Sequence, residues 1–467
     1  MKLMDVSVKF LGAAQIVTGS KYLLDIDSFR LLIDCGLFQG KKEDRLKNWS
    51  PFPINPDSID AILLTHAHID HIGYLPRLCK QGFRGAIYCT DASLDLIPMM
   101  LKDAAKLQEE EAQYAEHKQY SKHDKPQPLY TLKDVDMVLP LLVGIPFEKE
   151  FFLNEQVSFR YQYAGHILGA GIIELFLKGN QMNKKIVFSG DLGRSNDPVL
   201  YPPKKIAEAD FLFVESTYGN RNLTDQDPRA DLASIINETL YYNGCILIPA
   251  FALGRTQAIL YYLKQLFKAH KISPCRVFID SPMAMNATDI YNKNKDLCKA
   301  SLFEEDNEPF DFDNLYYCHE QQASMQINDI KSNAIIISAS GMATGGRILH
   351  HLYHRLPREN DTLLFVGYQG EGTRGRRILN GEPEVRIFGE FVPVKCKVTK
   401  LDGLSAHADS EELFEWLSSF QEAPKNTFIV HGEKESAEAL AKTIKEKLGW
   451  NTFIPQYLES YQLFEGI

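Results

Sequence analysis

The sequence His-Ala-His-Ile-Asp-His at positions 66–71 constrains this chain more than any other stretch. It follows a short apolar run that predicts a buried strand, so its polar side chains come at a strand end. In an extended segment His66 and His68 point to one side, whereas Asp70 and His71, at the turn into a helix, face a second point. This geometry favours two small cations over one. Imidazole and carboxylate ligands together suit Zn²⁺, with Mn²⁺ or Fe as alternatives.

Two ions need more ligands than this segment supplies, and two later strand ends offer them. His166 follows the predicted strand 157–163, and Asp191 follows the predicted strand 185–188. Alone, a histidine beside glycine or an aspartate in a Gly-Asp turn is usually structural. In a chain that also carries the 66–71 motif, both become candidate ligands. The alternative is that the histidines of 66–71 only cap the following helix.

An aspartate after an early strand, Asp34, completes an order of motifs that resembles the metallo-β-lactamase fold family. The resemblance implies a four-layer αβ/βα sandwich. It also implies roles for the matching residues: His66, His68 and His166 on one metal ion, Asp70 and His71 on the other, Asp191 bridging both ions, and Asp34 holding a ligand in orientation.

Beyond Glu215 the pattern changes to alternating apolar strands and helices, which predicts a parallel α/β unit. The predicted strands are 246–250, 277–279, 334–338 and 363–367, with helices at 254–269 and 345–357. A unit of this kind is distinct from the opening of the chain, where residues 5–35 alternate like an antiparallel meander.

Three motifs around this unit resemble motifs A, B and C of the β-CASP nucleases: Glu215–Gly219, Ser405–Asp409 and Val430–Glu433. The chain is similar to bacterial and archaeal relatives of the endonuclease subunit of the cleavage and polyadenylation specificity factor. The resemblance implies an α/β fold in which a parallel α/β β-CASP domain is inserted into the metallo-β-lactamase sandwich. We expect the sandwich to contain 1–208 and 395–467, and the inserted domain 209–394.

The resemblance implies a zinc-dependent ribonuclease that cuts single-stranded RNA internally by a two-metal mechanism, with 5′-3′ exonuclease activity as a further mode. Histidine in motif C, here His431, accompanies RNA substrates in this family. Expulsion of a 3′ oxygen requires a proton, which His407, oriented by Glu215, can donate. The expected catalytic residues are Asp70, Glu215 and His407, and His431 is expected to complete the ligands of the second ion.

Phosphates on either side of the cut need hydrogen-bond donors. The loop after the predicted strand 334–338 offers Ser340, Gly341 and Thr344 ahead of a helix. Arg255 and Arg374 are further candidates for RNA phosphate contacts. A plain strand-to-helix turn and a solvated arginine surface are the alternatives.

Composition limits the partners and the compartment. A net charge of −10 argues against a broad basic face, so RNA has to be held in a local groove. Eight cysteines without a CxxC pair favour reduced thiols. The first 20 residues have no pattern of a secretory signal, and no apolar run is long enough to cross a membrane, so we expect a cytoplasmic protein. A homodimer is an open expectation.

Three other functions remain as alternatives. A thioesterase of the glyoxalase type shares the metal motif but does not need Glu215, His407 or the inserted unit. A DNA nuclease of the same fold is the second alternative. An RNA-binding scaffold that has lost catalysis is the third, although every expected ligand is present here.

Overall fold

A computed structural model of the protein describes residues 4–118, 126–179, 183–223, 227–304, 307–401 and 403–466. Its strands, in chain order, are β1 Val6–Phe10, β2 Tyr22–Ile26, β3 Phe29–Ile33, β4 Ala61–Leu63, β5 Ala86–Thr90, β6 Leu142–Ile145, β7 Phe151–Phe152, β8 Val157–Tyr163, β9 Gly171–Lys178, β10 Asn183–Phe188, β11 Phe211–Glu215, β12 Cys245–Pro249, β13 Arg276–Ile279, β14 Leu315–Tyr317, β15 Ala334–Ser338, β16 Thr362–Phe365, β17 Glu384–Ile387, β18 Glu390–Pro393, β19 Lys397–Lys400, β20 Asn426–Val430, β21 Thr452–Phe453 and β22 Ser460–Phe464.

The helices are α1 Lys42–Lys47, α2 Ile69–Ile72, α3 Leu75–Lys80, α4 Ser93–Lys118, α5 Leu132–Asp136, α6 Pro228–Tyr241, α7 Arg255–Lys268, α8 Pro282–Lys293, α9 Ala300–Glu304, α10 Gln321–Ile327, α11 Ile348–Arg355, α12 Arg374–Leu379, α13 Ser410–Leu417 and α14 Lys434–Leu448. Within the described residues, no helix is both long and apolar enough to cross a bilayer.

The chain forms two compact units. The first contains Met1–Ser195, Pro202–Asn222 and His407–Ile467, and the second contains Asn196–Tyr201 and Leu223–Ala406. The segment Asn196–Tyr201 already belongs to the second unit, whereas the changes at Asn222–Leu223 and Ala406–His407 come later along the chain than the predicted domain boundaries at 209 and 394. The reason is strand pairing: β11 pairs with β10 and β20 of the first unit, and β19 pairs with β16 of the second.

The first unit is built on two sheets with the spatial orders β22-β1-β2-β3-β4-β5-β6 and β21-β20-β11-β10-β9-β8-β7. Their inner faces share one apolar core, in which the Phe10 ring of β1 lies 5.9 Å from the Phe213 ring of β11. Helix α4 packs on β5 and β6, and α14 packs on β20 and β21. The result is the expected αβ/βα sandwich.

Strand direction explains where polar side chains gather in this unit. In the first sheet β3 and β4 are parallel neighbours, and in the second sheet β10, β11 and β20 run parallel. Strand β8 has the same direction, because it is antiparallel to β9, which is antiparallel to β10. Parallel strands end at the same edge of a sheet, so the residues after these strands come together.

The second unit has a parallel sheet in the order β14-β13-β15-β12-β16-β19. Its central strands β12 and β15 are buried along their whole length, which explains their nearly continuous apolar sequences. Strands β17 and β18 form a separate antiparallel hairpin. The predicted parallel α/β insert is therefore present.

All eight cysteines lie in described segments, and all are buried free thiols.

Candidate metal centre and active site

The predicted metal-site side chains all belong to the first compact unit, and each follows or ends a strand or precedes a helix. Asp34 follows β3, residues 66–71 follow β4, His166 follows β8, Asp191 follows β10, Glu215 ends β11, His407 precedes α13, and His431 follows β20. Both sheets thus contribute to one cluster.

The backbone of the 66–71 segment is fixed by the neighbouring loop. The backbone N–H of Ser20 donates to the Asp70 carbonyl at 2.9 Å, and that of Cys35 donates to the His71 carbonyl at 2.7 Å. A Cβ at Gly36 would lie 1.5 Å from the Asp70 carbonyl oxygen, so only glycine fits there. This packing holds Asp70 and His71 in the short helix α2.

A first group of possible ligand atoms comes from His66, His68, His166 and Asp191. Nδ1 of His68 lies 3.0 Å from Nε2 of His66 and 3.2 Å from Nε2 of His166. Oδ2 of Asp191 lies 3.5 Å from the His66 nitrogen and 3.6 Å from the His166 nitrogen. Three imidazole nitrogens and one carboxylate oxygen therefore converge on one point.

A second group comes from Asp70, His71 and His431. Nε2 of His71 lies 3.1 Å from Nε2 of His431, which lies 3.5 Å from Oδ2 of Asp70. The other oxygen of Asp191, Oδ1, lies 3.4 Å from Nε2 of His71 and 3.5 Å from Nδ1 of His431. Asp191 thus directs one carboxylate oxygen to each group.

The residues present fit a pair of cations. Oδ1 of Asp191 is buried and accepts no hydrogen bond from the part of the chain that the structure describes. A buried carboxylate oxygen without a donor is costly, and a cation at this point would satisfy it. The set of imidazole and carboxylate donors is the one that zinc and other transition metals prefer.

The electrostatics of the site differ between the two groups. Burial, together with the neighbouring histidines, lowers the pKa of His66 well below its usual range, and burial lowers the pKa of His68 to about 4. Both rings are therefore held neutral, the form that binds metals. Burial also disfavours the charged form of His71, but the carboxylates of Asp191 and Asp34 outweigh it and hold the His71 pKa well above its usual range.

Asp34 holds the ring of His71 from behind. Its Oδ2 lies 2.7 Å from Nδ1 of His71, and the Thr65 hydroxyl donates to the same oxygen at 2.8 Å. The Thr65 backbone N–H donates to Oδ1 of Asp34 at 2.7 Å. A carboxylate on Nδ1 leaves Nε2 of His71 directed at the second group.

Glu215 and His407 form a pair beside the two groups. Nδ1 of His407 lies 3.2 Å and 3.1 Å from the two carboxylate oxygens of Glu215, which is fully buried. Burial lowers the pKa of His407, but the Glu215 carboxylate outweighs this effect and raises the pKa above its usual value. The His407 side chain is 16% exposed, so a substrate that enters from solvent can contact the ring.

Several supporting residues were missed by reasoning from sequence. Thr65 bonds Asp34, the Thr217 hydroxyl lies 3.2 Å from Nδ1 of His431, and the Ser189 hydroxyl accepts from the Glu215 backbone N–H at 3.1 Å. Each stands within or beside a motif whose acids and histidines are the predicted site residues. Serine and threonine are common in turns, so their hydroxyl groups alone do not indicate a functional site.

The predicted phosphate-contacting residues all lie in the second compact unit. The Ser340 hydroxyl lies 3.0 Å from the Thr344 hydroxyl and accepts from the Thr344 backbone N–H at 3.0 Å. Arg374 donates to the Ala343 carbonyl at 2.6 Å, so this guanidinium braces the same loop. A Cβ at Gly341 would lie 2.7 Å from the Phe251 ring, which accounts for this glycine by packing alone.

Arg255 is buried, only 5% exposed, and it interacts electrostatically with Asp197. A role of Arg255 in phosphate contact stays a prediction.

Comparison with known proteins gives three matching family models. The model described as "Metallo-beta-lactamase superfamily" matches residues 17–232, "Beta-Casp domain" matches 256–378, and "Zn-dependent metallo-hydrolase RNA specificity domain" matches 392–455.

Among curated proteins, Ribonuclease TTHA0252 of Thermus thermophilus is 36% identical over 437 residues, which cover 93% of this chain and 94% of that protein. Transcription termination factor FttA of Methanosarcina mazei is 30% identical over 478 residues, covering 98% and 72%. FttA of Methanocaldococcus jannaschii is 27% identical over 472 residues, covering 98% and 72%. A crystal structure of a protein of unknown function from Enterococcus faecalis is similar in fold, with a TM-score of 0.54, 12% identity and coverage of 98% and 100%.

Proposed function

The chain belongs to the β-CASP family of metallo-β-lactamase-fold ribonucleases, metal-dependent hydrolases that act on RNA, and from this premise we propose that it is a zinc-dependent endoribonuclease with two metal ions. The observation that carries the proposal is the placement of Asp191, whose two carboxylate oxygens face two separate groups of ligand atoms.

His66, His68 and His166 would hold one ion and Asp70, His71 and His431 the other, with one carboxylate oxygen of Asp191 directed at each group. Zinc suits this donor set, and manganese is the alternative. A pair of divalent ions there would supply positive charge for the phosphate and acidify an attacking water. Asp34 and Thr65 keep the His71 ring aligned for this role.

Asp70 has a second role in the proposal. Its side chain is 21% exposed, which makes it more accessible than Asp191 at 2%. Its carboxylate can accept a hydrogen bond from the attacking water and hold it opposite the bond that breaks. Asp191 is enclosed and serves as a ligand only.

His407 supplies the proton for the leaving group. As the oxygen of the water bonds to phosphorus, the water gives up a proton to the Asp70 carboxylate, the bond from phosphorus to the 3′ oxygen breaks, and the imidazolium of His407 transfers its proton to that oxygen. The products are a 5′-phosphate and a 3′-hydroxyl. The buried carboxylate of Glu215 supports this role because it raises the pKa of His407 and fixes its Nδ1.

RNA phosphates away from the cut need a separate binding surface. We propose that the loop carrying Ser340, Gly341 and Thr344 contacts them, with Arg374 as its brace and Arg255 as a further contact. Loop N–H groups ahead of α11 and the two hydroxyls are suitable donors for a phosphate oxygen.

The test is incubation of the purified protein with RNA labelled at its 5′ or 3′ end, with and without a chelator. The proposal predicts internal cuts with 5′-phosphate and 3′-hydroxyl ends, lost on chelation and restored by zinc. Release of mononucleotides from the 5′ end would reveal the exonuclease mode. Equal turnover of single-stranded DNA would favour the DNA nuclease, and RNA binding without cleavage would favour the scaffold.

The cytoplasmic location and the homodimer stay predictions. Sedimentation of the purified protein tests the dimer directly.

A further inference from the structure

Arg194 is a buried cation outside the proposed ligand set, three residues after Asp191. It is 1% exposed, and its Nε donates a hydrogen bond of 3.0 Å to Oε2 of Glu412. Its Nη2 lies 3.8 Å from Oδ2 of Asp409. Taking a guanidinium out of water is costly unless acids compensate it, so this placement calls for an explanation.

Glu412 ties two separate segments of the first unit together. Its Oε1 accepts hydrogen bonds from the backbone N–H of Ser195 at 2.8 Å and from the Ser195 hydroxyl at 2.7 Å. Its Oε2 accepts from Arg194 and from the backbone N–H of Asp409 at 3.1 Å. A capping box of α13 needs only the last of these bonds. The hydrogen bonds to Ser195 and Arg194 are not needed for the cap; they join α13 to residues 194–195.

The two segments joined in this way contact both members of the Glu215–His407 pair. The backbone N–H of Leu192 donates to Oε1 of Glu215 at 2.6 Å, and the Leu192 carbonyl accepts from the backbone N–H of Ala408 at 2.8 Å. Residue 408 directly follows His407. A shift of the 407–409 segment along residues 191–195 would therefore change the distance between His407 and Glu215.

Chain connectivity explains why side chains must make this link. The chain passes from one compact unit to the other at Ser195–Asn196 and again at Ala406–His407. Each segment therefore lies where the polypeptide leaves or enters the first unit. The residues that adjoin the two segments, Asn196 and Ala406, belong to the second unit. A side-chain network built on the buried Arg194 and the partly buried Glu412 anchors the two segments in place of a continuing strand or helix.

We propose that Arg194 and Glu412 are positioning residues that keep His407 aligned with Glu215 for proton donation. The inference rests on the proposed function, in which His407 is the general acid. Neither residue touches the substrate or the ions in this account. A general acid held an ångström out of place transfers its proton far less effectively.

If the network positions a general acid, the effect of removing it on the hydrolysis rate should depend on the leaving group. A ribose 3′ oxygen needs a proton as it departs, whereas 4-nitrophenolate departs as a stable anion. Loss of the network should therefore slow RNA cleavage and spare hydrolysis of bis(4-nitrophenyl) phosphate. A general loosening of the metal site would slow both reactions.

The experiment measures both reactions and bound metal in the zinc-loaded protein for Glu412→Gln, Ser195→Ala and Arg194→Met. The control is Glu415→Gln on the same helix, whose carboxylate is 70% exposed and pairs only loosely with Lys205 at 3.9 Å. We expect RNA cleavage to fall about tenfold or more in Glu412→Gln. Metal content, hydrolysis of bis(4-nitrophenyl) phosphate and the control variant should stay within about twofold of the parent.

His407→Ala separates the failure of this inference from failure of the proposed function. If His407→Ala slows both substrates equally, the general-acid role is wrong and the inference is overturned with it. If it slows RNA alone, Glu412→Gln must show the same preference and add no further loss in the double variant. Unchanged RNA cleavage, equal loss on both substrates, or additive losses would overturn the inference alone. Should Arg194→Met fail to fold, Glu412→Gln and Ser195→Ala decide.

Discussion

Oδ2 of Asp34 lies 2.7 Å from Nδ1 of His71, and the opposite nitrogen of the same ring faces His431 at 3.1 Å. One imidazole thus joins a residue that follows β3 to the second group of ligand atoms. The carboxylate decides which nitrogen of His71 carries the proton and which remains for a metal.

Asp34→Asn should weaken binding of the second ion about 10- to 100-fold, because the amide does not fix the His71 ring as the carboxylate does. Competition with a zinc chelator measures the two affinities. Asp25→Asn is the control, since that carboxylate is 40% exposed and pairs with Arg30 at the surface. Equal affinity of the Asp34 variant and the parent would contradict the role assigned to Asp34.

His407→Ala should keep both ions and slow RNA cleavage by about 10²- to 10⁴-fold, the range for loss of a general acid. The ring lies next to His166, with 4.4 Å between ring centroids, but it belongs to neither group of ligand atoms. Metal analysis and single-turnover cleavage of the same preparation test this. Loss of bound metal would mean that His407 is a ligand.

The ionised carboxylate of Glu174 makes the free energy of unfolding depend on pH in the acidic range. Burial raises its pKa, but hydrogen bonds from Arg160 and Lys185 outweigh burial, and the pKa lies below its usual value. A carboxylate whose pKa is lower in the folded state than in the unfolded state stabilises the fold at pH values above the unfolded-state pKa. This stabilisation is lost as the pH falls through the folded-state pKa.

Glu174→Gln should therefore lower the free energy of unfolding at pH 7 by about 2 kcal/mol, the value of hydrogen bonds to a charged group. The difference from the parent should shrink below about pH 4, where the unfolded carboxylate becomes protonated. Urea unfolding across pH measures it. Glu148→Gln, at an exposed pair with Lys204, should unfold like the parent throughout. A difference that does not change with pH would refute the assignment.

Phe213→Ala should destabilise the first unit by about 3–5 kcal/mol, as expected for a buried aromatic residue. Its ring is 1% exposed, stacks on Phe188 at 4.3 Å and Phe428 at 4.6 Å along its own sheet, and faces the Phe10 ring of the other sheet at 5.9 Å. Thermal unfolding followed by near-ultraviolet circular dichroism measures the change. A variant as stable as the parent would show that the inner faces of the sheets are not packed as described.

The elements that the sequence predicted well are those with a local signal. The meander at the start appears as β1, β2 and β3, and the apolar runs of the insert appear as the parallel strands β12, β13, β15 and β16. Continuous apolar runs are typical of parallel strands buried on both faces. The order of acids and histidines likewise marked the strand ends where the site lies.

Other features depend on distant parts of the chain or on backbone detail. Strand β22 pairs with β1 across nearly the whole chain, which no local pattern reveals. The predicted helix 345–357 begins only at Ile348, because Gly346 has a φ of 81°, outside the helical region. The contact between the buried Arg194 and Glu412 joins residues that are remote in sequence, and neither belongs to a distinctive motif.

Elemental analysis of the purified protein after zinc loading tests whether two metal ions share Asp191. We expect about two zinc ions per chain, and we expect Asp191→Ala to lose both, because its carboxylate faces both groups of ligand atoms. RNA cleavage should be lost when the zinc is removed and should return when zinc is added back. Saturation at one ion, or no bound ion after supplementation with zinc and manganese, would contradict it.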